Sequence, residues 1–220
     1  MLSILNETLN LIAVFIGIIS IFILFPFKKL LIWQYIIIIH FVIISLLDII
    51  TFYVYKVQNQ NSFWLTPIYV PNVFLGVGLF CYFANPNGFY KKIFKSQIII
   101  LGTLLLIKML FYTTYIAYDE WVWLLLQIFC IIFCLTYLYF LFNYNKKAIF
   151  RNPHSFIVIG FLLAMVTPLF SNFLQFYLLE ISKDYFTYSL LILNIAAIIA
   201  YLLIIRGLLL SKPSSHQTHL

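Results

Sequence analysis

The chain has 220 residues, of which 65% are apolar, 20% aromatic and only 9% charged, with a net charge of +7. Soluble domains carry about a quarter charged residues, so this composition excludes a soluble globular protein and leaves no room for a separate soluble domain. A positive balance can signal nucleic-acid binding, but in a chain this apolar it reports orientation across a bilayer, and no nucleic-acid partner is expected.

Taken in order, the chain falls into seven apolar segments, roughly residues 4–25, 31–54, 64–84, 97–117, 121–143, 155–179 and 185–207, each bounded by charge, Pro, Asn or Gly. About 20 apolar residues let a helix cross a bilayer. The expected fold is therefore an all-α bundle of seven transmembrane helices, a single membrane domain over residues 1–210 with a short cytoplasmic tail at 211–220. The first segment lacks the basic start and small-residue cleavage site of a secretory signal and reads as a retained span. Short connections make consecutive helices antiparallel neighbours.

Loop charges set the expected orientation. Lys28 and Lys29 fall in the first loop, Lys91, Lys92 and Lys95 in the third, Lys146, Lys147 and Arg151 in the fifth, and Arg206 and Lys212 at the C-terminal end. The opposite side has only Lys56 and Lys183, and it collects Glu7, Asp119, Glu120, Glu180 and Asp184. Basic loops stay in the cytoplasm, which puts the N-terminus outside and the C-terminus inside a bacterial inner membrane. The recurring Lys pairs (KKLL, KKIF, KKAIF) need no internal repeat, because attraction to anionic lipid accounts for them. Asn85-Pro86 and Asn152-Pro153 are turn signals. Pro67 and Pro71 in the third segment and Pro168 in the sixth are expected to kink their helices, while Gly76 and Gly78 allow close helix approach.

Lys108 stands near the centre of the fourth segment, where an ionisable side chain is costly and calls for a partner. Counting up from the basic side at 1.5 Å per residue, Lys108, Asn72 and Asn194 fall roughly 17–18 Å deep, and Asp48, Gln127 and Asn172 roughly 24 Å deep. Two polar layers follow, both facing into the bundle. Asp48 has Ser45 and Thr51 three residues to either side on its own helix face, and Tyr112 and Tyr115 stand one and two turns above Lys108. Asp48 is the acidic side chain deep enough to answer Lys108, across a height difference of about 7 Å. Against this stands the plainer reading, in which buried amides only glue helices together. His40, on a different face from Asp48, reads as packed or hydrogen-bonded rather than as a ligand.

Other chemistry is missing from the sequence. Cys81, Cys130 and Cys134 lie in apolar runs and read as packing residues, not as a disulfide or metal set. No metal or cofactor motif, no phosphate-binding glycine loop and no second deep carboxylate for acid–base work occurs. The seventh segment has no Lys to carry a retinal Schiff base. The expectation is a protein without enzymatic activity and without a cofactor.

Three short motifs carry a resemblance. They are Trp64-Leu65-x-x-Ile68-Tyr69, then Asn152-Pro153-x-x-Phe156-x-x-x-Gly160, and Leu193-Asn194-Ile195 leading to Tyr201-Leu202-Leu203. With these the chain resembles a group of short bacterial seven-transmembrane integral membrane proteins along essentially its whole length. The resemblance implies the same topology and matches Asp48 to an acidic residue in the second span. That group often has a further carboxylate early in span three, where this chain has Asn72 and Val73, and it brings no activity with it.

The functional expectation is a sensory or accessory membrane protein. An outward-facing polar pocket would bind a small ligand or respond to the bilayer, and a cytoplasmic-side signalling partner, or a second copy of the chain, would read the inner loops. The alternative is a small-molecule or proton-coupled transporter using Asp48. A lipid-modifying intramembrane enzyme is a third reading, for which the sequence shows no nucleophile or metal site.

Overall fold

A computed structural model describes residues 2–24, 30–56, 66–111, 120–144 and 151–211. Among these residues there are seven helices and no strand: α1 (Leu2–Leu24), α2 (Ile32–Lys56), α3 (Thr66–Ala84), α4 (Gly88–Phe111), α5 (Glu120–Tyr144), α6 (Pro153–Ile181) and α7 (Lys183–Leu210).

Local chemistry explains where two of the helices begin. Asn87 caps α4: its side-chain oxygen accepts from the Phe89 amide at 2.9 Å, and its carbonyl accepts from Lys91 at 3.1 Å. Asn85 closes the preceding turn by accepting from the Asn87 amide at 2.9 Å. At α6 the Asn152 side chain accepts from the His154 amide at 2.9 Å, and Pro153 takes the first helical position, where its missing N–H costs nothing. Both Asn-Pro pairs are thus turns, as their sequence indicates.

Two expectations need correction. α4 starts at Gly88, not near residue 97, so Lys91, Lys92 and Lys95 ride on its first turns instead of forming a loop. Lysine is a good helix former, and the Asn87 cap starts the helix ahead of the apolar run. Pro67 sits in the first turn of α3, where it removes no helical hydrogen bond; only Pro71 and Pro168 lie inside their helices.

Side-chain contacts fix the helix directions. Trp33 meets Phe80 while His40 meets Asn72, so α2 and α3 are antiparallel. Lys91 lies over Tyr82 and Ile98 lies beside Gly78, which makes α3 and α4 antiparallel too. Phe74 pairs with Phe133 and Phe80 with Tyr137, so α3 and α5 run parallel. The main packings are α1 on α2 and α7, α2 on α3, α3 on α4 and α5, α5 on α6, and α6 on α7. α5 is therefore seated on α3 and α6, with α4 flanking α3.

The α6–α7 pair approaches backbone to backbone. A Cβ on Gly160 would stand 2.7 Å from the Ala200 carbonyl, and one on Gly207 2.6 Å from the Pro153 carbonyl. Such small-residue seams let membrane helices pack without a hydrophobic driving force. The centre is filled by aromatic rings, among them Phe41, Phe74, Phe80, Phe94, Phe133 and Tyr137, all nearly inaccessible.

Apolar residues also cover the perimeter. Phe22, Tyr139 and Phe170 are 71%, 63% and 62% exposed, a surface suited to acyl chains and not to water. Among the described residues four stretches are long and apolar enough to cross a membrane: Ile32–Val54, Leu124–Asn143, Pro153–Phe170 and Tyr185–Leu210. The chain is a multi-pass helical membrane protein.

Candidate functional site

Three polar groupings interrupt the apolar interior. The first lies at the basic end of the bundle, which carries Lys91, Lys92, Lys95, Arg151 and Arg206. There the Tyr137 hydroxyl on α5 donates to the Ala84 carbonyl at 3.0 Å and lies 2.8 Å from Nδ1 of His154 on α6. A phenol has one proton, and a carbonyl can only accept. The proton on Tyr137 therefore goes to Ala84, and His154 donates from Nδ1 to the phenol oxygen, leaving Nε2 with the lone pair. Trp33 and Phe80 pack edge-on against the imidazole, with centroids 4.8 and 6.0 Å away. Nearby, Gln34 accepts from the Leu31 amide at 2.7 Å and donates to Ser211 at 2.8 Å, tying the start of α2 to the end of α7.

The second grouping joins α2 to α3. His40 Nδ1 donates to the Asn72 carbonyl at 3.2 Å, and Asn72 Nδ2 donates to the His40 carbonyl at 3.4 Å. The clamp works because position 76 is glycine: any Cβ there would run into the His40 ring. His40 also packs against Phe41 and Phe161, at 5.9 and 5.7 Å between centroids. This histidine is packed and hydrogen-bonded, as its sequence setting indicates, and Asn72 is engaged in the same clamp.

The third grouping surrounds Asp48, a half-buried carboxylate on α2. It lies within electrostatic reach of Tyr69 on α3 and Tyr201 on α7. Tyr201 stacks edge-on against Phe41, centroids 5.4 Å apart, and its ring leans toward the helix N-terminus while Asp48 leans toward its own, so the two converge. Asn194 stands seven residues from Tyr201 and Asp48 seven from Phe41, so antiparallel register brings Asn194 level with Asp48.

The same counting changes the expected depth of Lys108. From the Ile98–Gly78 contact, Lys108 lies ten residues on, about 15 Å at the helical rise. That is opposite residue 68 of α3. From His40 opposite Asn72 and Gly76, Asp48 comes out opposite residues 64–68. The height difference of about 7 Å expected between the two narrows to between zero and about 6 Å. The earlier start of α4 is why: a count from residue 97 sets Lys108 too close to the basic end. Gln127 moves the other way: the Phe74–Phe133 and Phe80–Tyr137 pairs set it opposite residues 68–70, toward Asn72.

Ser45, expected beside Asp48, is buried against α1, where a Cβ on Gly17 would stand 3.0 Å from its hydroxyl. Gln127 is 1% exposed. The side chains of Lys108 and Asn172, and all of Tyr112, lie outside the described residues.

The Tyr137–His154 grouping lies near one end of the bundle, away from the mid-membrane depth at which polar residues stand out in the sequence. A signal existed: Tyr137 continues the Gln127, Cys130, Cys134 stripe, and His154 directly follows the Asn152-Pro153 turn.

No protein-family model, no curated protein and no solved structure matches the chain. The site must be read from its own geometry.

Proposed function

We propose that the chain is a seven-span protein of a bacterial inner membrane, N-terminus outside, acting as a sensory or accessory protein. Its pocket opens outward around Asp48 and Lys108 and takes a small ligand, and a partner on the cytoplasmic side reads the basic end. One observation carries this reading: register from two separate contacts brings Asp48 on α2 and Lys108 on α4 to within about 6 Å in height beside α3, away from the end that carries Lys91, Lys92, Lys95, Arg151 and Arg206. A carboxylate and an ammonium at membrane depth favour each other's charged form and would hold the helices that bear them in one arrangement. A ligand that binds the carboxylate competes with that arrangement, and the shift passes down α2, α3 and α4 to the basic end.

The test has two parts. Reporter fusions at the C-terminus should show it in the cytoplasm. Gentle solubilisation should recover a stoichiometric partner from wild type, and Asp48→Asn should change the amount recovered. Recovery of neither partner nor ligand removes the support for a sensor. Transport remains the second reading, favoured by the position of Asp48 between α2, α3 and α7. Uptake or efflux in proteoliposomes abolished by Asp48→Asn would establish it.

A further inference from the structure

Gln127 is 1% exposed, yet neither its amide nitrogen nor its amide oxygen has a hydrogen-bond partner among the described residues. Burying a carboxamide with both ends unmatched forfeits the hydrogen bonds it makes in water. The side chain belongs to the stripe Gln127, Cys130, Cys134 and Tyr137, each at most 1% exposed. Tyr137 identifies what the stripe faces, since its hydroxyl reaches the Ala84 carbonyl at the end of α3.

A second group on α3 loses its usual helical partner for an unrelated reason. Pro71 lies inside that helix and has no N–H, so the carbonyl one turn earlier, at residue 67, lacks its helical donor. In a bilayer such a carbonyl must be satisfied by something else. The parallel register of α3 and α5 sets Gln127 opposite residues 68–70, within one turn of residue 67.

We propose that α3 and α5 enclose a structural water site between the Gln127 carboxamide and the carbonyl at residue 67. Water fits because it accepts from Nε2 while donating to Oε1 or to the carbonyl, and a buried water needs two to four such partners. The site lies on the basic-end side of Asp48 and does not depend on the sensor reading.

The test is a double-mutant cycle in thermal stability on the full-length protein in nanodiscs, with Gln127→Met and Pro71→Ala, supported by radiolytic hydroxyl labelling of wild type. Methionine keeps the length of glutamine and cannot hold the water. The proposal expects Q127M to melt several degrees lower than wild type, and to cost much less in the P71A background, where the residue 67 carbonyl regains its donor. It also expects Cys130, one turn from Gln127, to be labelled severalfold more than the equally buried Cys134. A Q127M protein that melts higher than wild type, an additive cycle, or equal labelling of Cys130 and Cys134 overturns it. The labelling result needs no variant, so it decides the matter even if a substituted protein fails to fold.

Discussion

The Tyr137 hydroxyl lies 2.8 Å from His154 Nδ1 and donates to the Ala84 carbonyl at 3.0 Å. One oxygen thus joins the end of α3, the last turns of α5 and the first turn of α6, at the end of the bundle proposed to meet a partner. Removing it leaves a buried carbonyl and a buried ring nitrogen unmatched, at about 1–3 kcal/mol for each group lost. Tyr137→Phe is expected to lower the melting temperature by several degrees. His154→Ala should cost clearly less in the Y137F background than alone, because the two act as one unit. Melting curves of the four proteins in detergent check both statements.

The α6–α7 seam makes a sharper contrast. Gly160→Val forces side-chain atoms toward the Ala200 carbonyl, 2.7 Å from where the Cβ would stand, and must push the two helices apart. Overpacking of this kind costs about 1–3 kcal/mol or more. Gly102, by comparison, has nothing within 4 Å of its would-be Cβ. Gly102→Ala should be neutral or raise stability by up to about 1 kcal/mol through helix propensity. Chemical denaturation of the two variants side by side tests the difference.

Helix starts give a third check. Asn152→Ala removes the cap that accepts from the His154 amide at 2.9 Å, and caps of this type contribute about 1 kcal/mol. Because that cap also orients the first turn carrying His154, N152A should loosen the Tyr137–His154 bond. The tyrosine contribution measured by Y137F is then smaller in the N152A background.

Asp48→Asn tests the functional reading. The substitution keeps the shape and removes the charge, so partner recovery or ligand response should change while the fold survives. Far-ultraviolet circular dichroism unchanged from wild type, together with an altered partner yield, is the expected outcome. An unaltered yield would take Asp48 out of the signalling path.

The fold was largely legible because a bilayer leaves few options: long apolar runs must be helical, and their number and order follow from the charges and turns between them. What escaped the sequence was depth and partnership. A run of lysines reads as a boundary, yet Lys91, Lys92 and Lys95 lie inside α4, which displaces the height inferred for Lys108. Asn72 stood out as a pocket residue by type and depth, but its amide is engaged by His40, whose ring fits only beside Gly76. Ser45 shares a helical face with Asp48 on paper, but a turn away it meets α1 instead. Helical periodicity states which residues share a face and is silent on which neighbour that face meets. The Tyr137–His154 pair depends on two helices whose contact is set by tertiary packing alone.

The most direct test of the account is a charge cycle on the proposed pair, Asp48→Asn, Lys108→Met and the double variant, read as melting temperature in nanodiscs. An ion pair at membrane depth predicts that each single change is strongly destabilising, because it strands the other charge. The double variant then recovers most of the loss. If the two losses simply add, or if either single change leaves stability unaltered, Asp48 and Lys108 do not answer each other and the outward pocket built on them is refuted.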